Sequence, residues 1–399
     1  MALKLRDAPG FPDYIEGQTN HQFMQAAWAQ GPLAIDDKGI VSVFSAEHMA
    51  MLIDDRWTRQ LELEIMRASG VSGGAMYDFI RDVMLFSNDQ VHRNRRGPMV
   101  KTFAHRAIAE LRPEVATRCT GLIAPLVGTG STDFLGAIAG PLPALVVASV
   151  MGAPEEEAAF FASHVYSAIR GLSIVPDDVR EESTRDMASL GSYMETLVAE
   201  RRARPKDDML TSYLQRVQGG PMDESEVRAQ LLALLVAGSE TTRGALTATV
   251  SQLMQNPAQW DLLVSDPERW APAAVAEGLR FDPVIGSLAR VTTERRELAG
   301  YDIPAGTIVG PSMLTALRDP EVYAEPDRFD ITRTDHPRLH PIFGGGPHRC
   351  LGEALARIEL EEALIALARL GPHMTLDGPP ARLSGYGAVR IVSPLQVVL

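Results

Sequence analysis

The chain has 399 residues, 45% of them hydrophobic and 22% charged, with a formal net charge of −13. Those values exclude a disordered chain, a coiled coil and a collagen-like fibre, and the acidic balance argues against a nucleic-acid binder. Two cysteines, Cys119 and Cys350, in unlike sequence contexts make no disulfide framework and suit a reducing, cytoplasmic setting.

The first segment, Met1 to Asp13, carries Lys4, Arg6, Asp7 and Asp13 without an apolar run, so no leader or membrane anchor is expected there. Leu33–Ile35 and Ile40–Phe44 flank a polar turn, Asp36-Asp37-Lys38-Gly39, and predict a hairpin. From about residue 75 to 280 helical patterns dominate. Asn88–Ala109 reads as a polar, basic helix, and Glu155–Gly171 and Asp186–Arg204 as amphipathic helices joined by an apolar loop at Leu172–Asp178. Leu135 to Pro154 runs 20 residues without a charge, but Pro141 and Pro143 break it, so a buried helix starting near Pro143 is expected rather than a membrane span.

A very long helix follows. Asp223 or Ser225 can cap it, Glu226 sits in its first turn and Asn256-Pro257 ends it, giving about 33 residues or ~50 Å. Its middle, Leu231 to Ala237, is apolar on every face, which predicts a buried helix crossing the whole molecule. Glu297 to Gly310 reads as a second hairpin. Asp319 to Pro347 is irregular and Pro-rich, a length of loop that suggests function. The last helix runs from Leu351 until Gly371-Pro372, and Ala388–Leu399 looks extended. The fold class is therefore mainly α with small β regions. It reads as a single domain over 1–399: a β-rich part at about 30–60, a helical core at about 75–280, a hairpin, meander and loop at about 281–352, and a final helix and strands at 353–399.

The strongest chemical signal is Phe343-Gly344-Gly345-Gly346-Pro347-His348-Arg349-Cys350-Leu351-Gly352. Glycines let the backbone turn and approach a large partner closely. Cys350 stands before a helix, where the dipole favours a thiolate. A phosphate-binding loop would need Lys and Ser/Thr after the glycines. A phosphatase-like thiolate would need an Arg sooner than Arg357. A zinc site could draw on His336, His340, His348 and Cys350, yet the segment is full of Pro with one Cys. A structural turn with an incidental Cys is the plain alternative. The loop resembles the haem-binding signature of the cytochrome P450 family.

The resemblance implies the P450 fold, haem b, O2 as co-substrate and Cys350 as axial ligand to the iron. Thiolate ligation there favours O–O cleavage. Phe343 would shield the sulfur, Gly344 and Gly352 would let the loop approach the haem, and His348, Arg290 and the His92/Arg96 pair would meet the propionates. Ala237-Gly238-Ser239-Glu240-Thr241-Thr242, in the long helix, resembles the family's oxygen-binding motif, with Glu240 and Thr241 as an acid–alcohol pair for proton delivery. Helical Ser and Thr bonded back to their own carbonyls are the ordinary alternative. Glu277 and Arg280, three apart on one helix face, with Arg328 from the meander, would brace the core. Glu-x-x-Arg also occurs at Glu64, Glu182, Glu240 and Glu325, so only its placement marks Glu277.

The implied activity is insertion of one oxygen atom from O2 into a small or medium hydrophobic substrate. The chain has no Rossmann fingerprint and no iron–sulfur cysteine set, so the resemblance implies a separate ferredoxin or flavodoxin with a reductase. Arg93, Arg95, Lys101, Arg106, Arg338, Arg349 and Arg357 would form a basic docking patch for it. The substrate pocket would draw on Ala233, Val236, Ala237, Val284, Ile285 and Leu288, with Leu172–Val175, Met76–Met84 and Tyr386–Ala388 as further walls. A peroxide-dependent enzyme of the same fold, or a haem sensor or carrier, are the alternatives, and Glu240 with Thr241 speaks against both.

Overall fold

A computed structural model describes residues 2–53, 55–103, 108–172 and 175–399. Their contacts divide the chain into two compact units: Met1–Leu61, Ala248–Cys350 and Ala381–Ser393 form the first, and Glu62–Thr247, Leu351–Pro380 and Pro394–Leu399 the second.

The first unit is built on a five-stranded sheet. The expected N-terminal hairpin forms, Leu33–Ile35 antiparallel to Val41–Val43. Its turn is tied by Asp36, whose Oδ1 accepts from Lys38 N and Ile40 N at 3.0 and 2.7 Å, which is how an Asp side chain mimics a turn. Val41–Val43 then runs parallel to Ile308–Pro311, which pairs with Arg290–Thr292, which pairs with Thr58–Gln60. The second predicted hairpin is thus shorter than Glu297 to Gly310. Arg296–Leu298 pairs with Tyr301–Ile303, and Ile308–Pro311 leaves to join the larger sheet. Alternation along these strands buries Leu33, Val41, Val43, Leu298, Ile303 and Val309 with Leu52 and Trp57. A helix, Pro267–Phe281, starts on an Asp266 cap with Pro at its first position. The Pro-rich stretch after Asp319 holds only two short 3-10 turns, Pro341–Phe343 and Gly346–His348.

The second unit is helical. Asp89–Thr102 is shorter than its predicted span, whose residues 104–107 lie outside the described residues. Ala158–Ala168 matches expectation, but Asp177–Ala203 starts nine residues before Asp186. Pro176 supplies its start and Asp177 and Asp178 its acidic first turn. The uncharged stretch forms a π-turn at Leu135–Ala139 followed by a buried helix, Pro141–Val150. Among the described residues no helix is long and apolar enough to cross a membrane.

The long helix is Glu224–Gln255, 32 residues. Asp223 and Glu226 cap it reciprocally: Glu226 N donates to Asp223 Oδ1 at 2.9 Å and Asp223 N to Glu226 Oε2 at 3.0 Å. The boundary between the units falls inside it, after Thr247. The final helix is Glu353–Leu370, with Gly352 at its N-cap.

Candidate functional site: a cysteine loop and a helix with one open stripe

In the first unit the loop before Cys350 is closed by its own backbone. Cys350 N donates to Phe343 O at 2.8 Å and Arg349 N to Gly346 O at 3.2 Å. Gly344 and Gly346 take φ of +68° and +58°, which a side chain would oppose. Arg349 folds back, its Nη1 donating to Gly344 O at 2.7 Å. Cys350 itself is exposed, while Phe343 and His348 are half-buried. The cysteine thus precedes the helix cap by two residues instead of standing on the helix. Cys119, by contrast, is buried among helices, and burial raises its thiol far above the usual range.

Arg290 is buried in the same unit. Its Nη2 pairs with the Asp55 carboxylate and its Nε donates to Thr58 Oγ1 at 3.2 Å. Nothing local in the sequence ties Asp55 to it; the pair forms across the sheet. An open cleft of about 480 Å³ beside the loop is lined by Ala50, Ile53, Asp55, Arg56, Gly346 and Pro347. Among the described residues no cluster of three or more His, Cys, Asp or Glu could hold a metal ion. His340 Nε2 meets Ala276 O at 3.0 Å and His336 faces Glu277.

Glu277 and Arg280 form the expected pair, both fully buried, at 2.7 and 2.8 Å. The third member is corrected. Arg328 contributes only its carbonyl, which accepts from Arg280 Nη2 at 3.1 Å. Its guanidinium is largely exposed and pairs with Glu325 and Asp330. Arg333 is the second guanidinium on Glu277, at 3.4 Å. A carboxylate sealed from water needs cations that are sealed with it, and Arg333 is 5% exposed.

In the second unit, the middle of the long helix is buried except along one stripe. Ala237 is exposed and Leu234, Gly238 and Thr241 are half-buried, whereas Leu235, Val236, Ser239, Glu240 and Thr242 are buried. Positions 234, 237, 238 and 241 share a face by the 3.6-residue period. Of the predicted pocket lining, Ala237 belongs to the open stripe, while Val236, 1% exposed, and Ala233, 8% exposed, are buried. In the first unit Val284 is also buried, whereas Ile285 and Leu288 are half-buried.

Three hydroxyls in this helix bond back to it. Ser239 Oγ donates to Leu235 O at 2.8 Å, Thr241 Oγ1 to Ala237 O and Thr247 Oγ1 to Arg243 O, both at 2.9 Å. Glu240 points away from the stripe. Its Oε1 accepts from Arg243 Nη2 at 2.8 Å; Oε2 lies 2.6 Å from the same nitrogen but outside hydrogen-bonding geometry. Burial pushes the carboxyl above its ordinary value, and Arg243 pulls it back. Glu240-x-x-Arg243 was visible as a spacing; the ring of Tyr166 under Arg243 was not.

His92, buried, and Arg96, half-buried, stand one turn apart on the Asp89–Thr102 helix. Arg95 is no part of a docking surface: it is buried, bonded to Glu226 at 2.7 and 2.9 Å and to Arg81 O at 2.9 Å. Arg93 and Lys101 on that helix, and Arg338 in the first unit, are exposed. Arg357 is tied to Glu353 at 3.2 Å. Arg106 lies outside the described residues, as do Ser173 and Ile174 of the predicted apolar wall.

A family model described as Cytochrome P450 matches residues 270–370, the span that holds Glu277, Arg290 and Cys350. The plant-inducible cytochrome P450-pinF1 of Rhizobium radiobacter is 39% identical over 370 residues, covering 92% of this chain and 87% of that protein. The chain belongs to the cytochrome P450 family. Luteothin monooxygenase of Streptomyces thioluteus is 36% identical over 76% of this chain and 75% of its own length. Erythromycin C-12 hydroxylase of Saccharopolyspora erythraea is 35% identical over 74% of each chain. Among solved structures, the P450 enzyme CxnD, for C–S bond formation in chuangxinmycin biosynthesis, superposes with a TM-score of 0.86 at 28% identity, over 98% of this chain and 97% of its own. The chain is thus a P450 monooxygenase of the haem-thiolate class, which uses haem iron and O2, redox partners and hydrophobic substrates.

Proposed function

We propose that this P450 binds haem b through Cys350 and inserts one oxygen atom of O2 into a small or medium hydrophobic substrate, drawing electrons from a separate ferredoxin or flavodoxin and its reductase. The observation that carries the reading is the exposed Cys350 at the end of a loop whose two left-handed glycines and inward-bonded Phe343 carbonyl fix its backbone.

The residues present suit haem. A thiol is the donor the class requires, and it is presented outward. Arg290 already pairs with a carboxylate, the chemistry of a propionate. His92, Arg96 and His348 are the further cations for the propionates, and Phe343, Gly344 and Gly352 hold the loop. The open stripe of the long helix carries only small side chains at Ala237 and Gly238. Bound at such a thiolate, haem iron would supply the site for O2, and the electron density pushed by the thiolate would favour O–O cleavage with electrons delivered by the donor.

The chain's own part is to hold protons and exclude water. Thr241 commits its hydroxyl proton to Ala237 O, so it presents acceptor lone pairs along the stripe. Glu240, buried one residue before, is a carboxyl whose proton affinity burial raises, in keeping with a proton-delivering role. Ala237 with Ile285 and Leu288 would contact substrate. Exposed Arg93, Lys101 and Arg338 are cations for an acidic electron donor.

Reduction with dithionite under carbon monoxide tests the ligand. The expected result is a strong red shift of the Soret band that Cys350→Ser abolishes; an unshifted band in the wild-type protein overturns the reading. Thr241→Ala is expected to keep electron consumption while product yield falls several-fold, measured with a reconstituted electron chain. Turnover by peroxide alone, indifferent to Thr241, would replace it with the peroxide-dependent reading.

A further inference from the structure

The Arg243 guanidinium meets one carboxylate and one aromatic ring in the second unit. Its Nη2 reaches Glu240 at 2.6–2.8 Å. Its Cζ lies 3.6 Å above the centroid of the Tyr166 ring, well inside the range of a cation–π contact. Arg243 Nε is buried and makes no hydrogen bond among the described residues, so the carboxylate and the ring together define where the guanidinium rests. The ring cannot swing freely, because Tyr166 Oη donates to Gly140 O at 2.7 Å. Gly140 in turn sits at the junction of the π-turn and the Pro141–Val150 helix. A rigid chain of contacts therefore runs from that junction through Tyr166 and Arg243 to Glu240.

We propose that Tyr166 is the seat that holds Arg243 against Glu240, making Tyr166 and Arg243 positioning residues that set how readily the Glu240 carboxyl takes and releases a proton. The inference rests on the reading of Glu240 as a proton-delivering group and adds a control to it. The physical reason is the environment. A carboxylate with 3% of its residue surface exposed stays ionised only where a cation is fixed beside it. An arginine on a flexible stem would lose its rotamer freedom to do this alone; a ring already immobilised from below lowers that cost. The charged and titratable groups around Glu240 are few. Arg243 stands on its own helix and Tyr166 on Ala158–Ala168, and Glu359, on the final helix, bears on Tyr166. No second cation acts on Glu240 among the described residues.

The test reads the carboxyl directly, in the full-length haem-loaded protein. Infrared difference spectra of protein labelled with 13C-glutamate, titrated with pH, give the Glu240 signal as the band absent from Glu240→Gln. Arg243→Gln is expected to raise its midpoint by about 1–3 pH units, the effect of losing an opposite charge at contact distance. Tyr166→Leu is expected to raise it in the same direction but less, while Tyr166→Phe, which keeps the ring, leaves it closer to wild type. Arg243→Lys removes the planar cation without opening a cavity, so it carries the test even where Tyr166→Leu does not fold; a rise in midpoint is expected there too. Product formed per electron is measured alongside and is expected to fall in the order in which the midpoint rises. If the midpoint ignores Tyr166→Leu and Arg243→Lys while Glu240→Gln lowers product yield, proton delivery by Glu240 stands and the seat is overturned. If the midpoints move but Glu240→Gln leaves yield unchanged, the contacts are real but the proton-delivery reading fails, and the functional claim falls with it.

Discussion

Of the glutamates followed by an arginine three residues later, Glu240 and Glu277 are the buried ones, and they meet different surroundings. Glu277 accepts from Arg280 with both oxygens, takes a third bond from Asp330 N at 2.8 Å and faces Arg333 and His336. Arg280 spends its remaining donors on the carbonyls of Leu317, Pro326 and Arg328. Among the described residues Glu240 has Arg243 alone, and its Oε2, though in the ion pair, accepts no hydrogen bond. The spacing is the same; what differs is whether a loop arrives to finish the network. A saturated carboxylate braces a fold. An undersaturated one is poised to change its proton. Glu359 marks the far end of the series. It is buried, its Oε2 has no hydrogen-bond partner among the described residues, and burial raises its carboxyl well above the ordinary value.

The largest effect should come from breaking the saturated pair. Glu277→Ala leaves Arg280 and Arg333 buried without their anion and is expected to cost roughly 3–5 kcal/mol in chemical denaturation; a loss below 1 kcal/mol would erase the contrast with Glu240. Arg333→Ala removes charged bonds to Glu277 and Asp335 and is expected to cost about 2 kcal/mol, whereas Arg328→Ala, at an exposed pair, is expected to cost well under 1 kcal/mol. Equal losses for the two would restore Arg328 to the network. Glu359→Gln tests the other extreme. Because its folded-state proton affinity is raised, the wild-type protein is favoured below the ordinary carboxylate value and loses stability as pH rises from there through the raised value. The variant has no proton to surrender. It should match the wild type near pH 4 and gain on it as pH rises, by up to about 1.4 kcal/mol per pH unit across that window, read from urea midpoints. A difference independent of pH would show that Glu359 is ionised in the fold.

The parts of this fold legible in the sequence are those set by neighbours along the chain. The long helix announced itself through Asp223, Glu226 and Asn256-Pro257, and the cysteine loop through its glycines. Glu277 and Arg280 were legible as a helical pair. The misreadings came from partners far apart in sequence. Arg333 rather than Arg328 closes on Glu277 because the meander curls back by tertiary contact, and both arginines fit the local pattern equally. Arg95, one residue from Arg96, looked like surface charge until Glu226, 131 residues away, claimed it. Ile308–Pro311 reads as a hairpin arm from its turn, yet it prefers the two strands that complete the larger sheet. Nothing within a few residues of Arg243 pointed to Tyr166.

The three hydroxyls that turn back on the long helix carry one last consequence. Each adds a second donor to a carbonyl of the ladder, at Leu235, Ala237 and Arg243, and shared carbonyls weaken the amide bonds that depend on them. A rod of 32 residues would otherwise transmit any push along its whole length. Two of the three shared carbonyls, at Leu235 and Ala237, lie just before Gly238, so the ladder is weakest where the helix also has its smallest side chain.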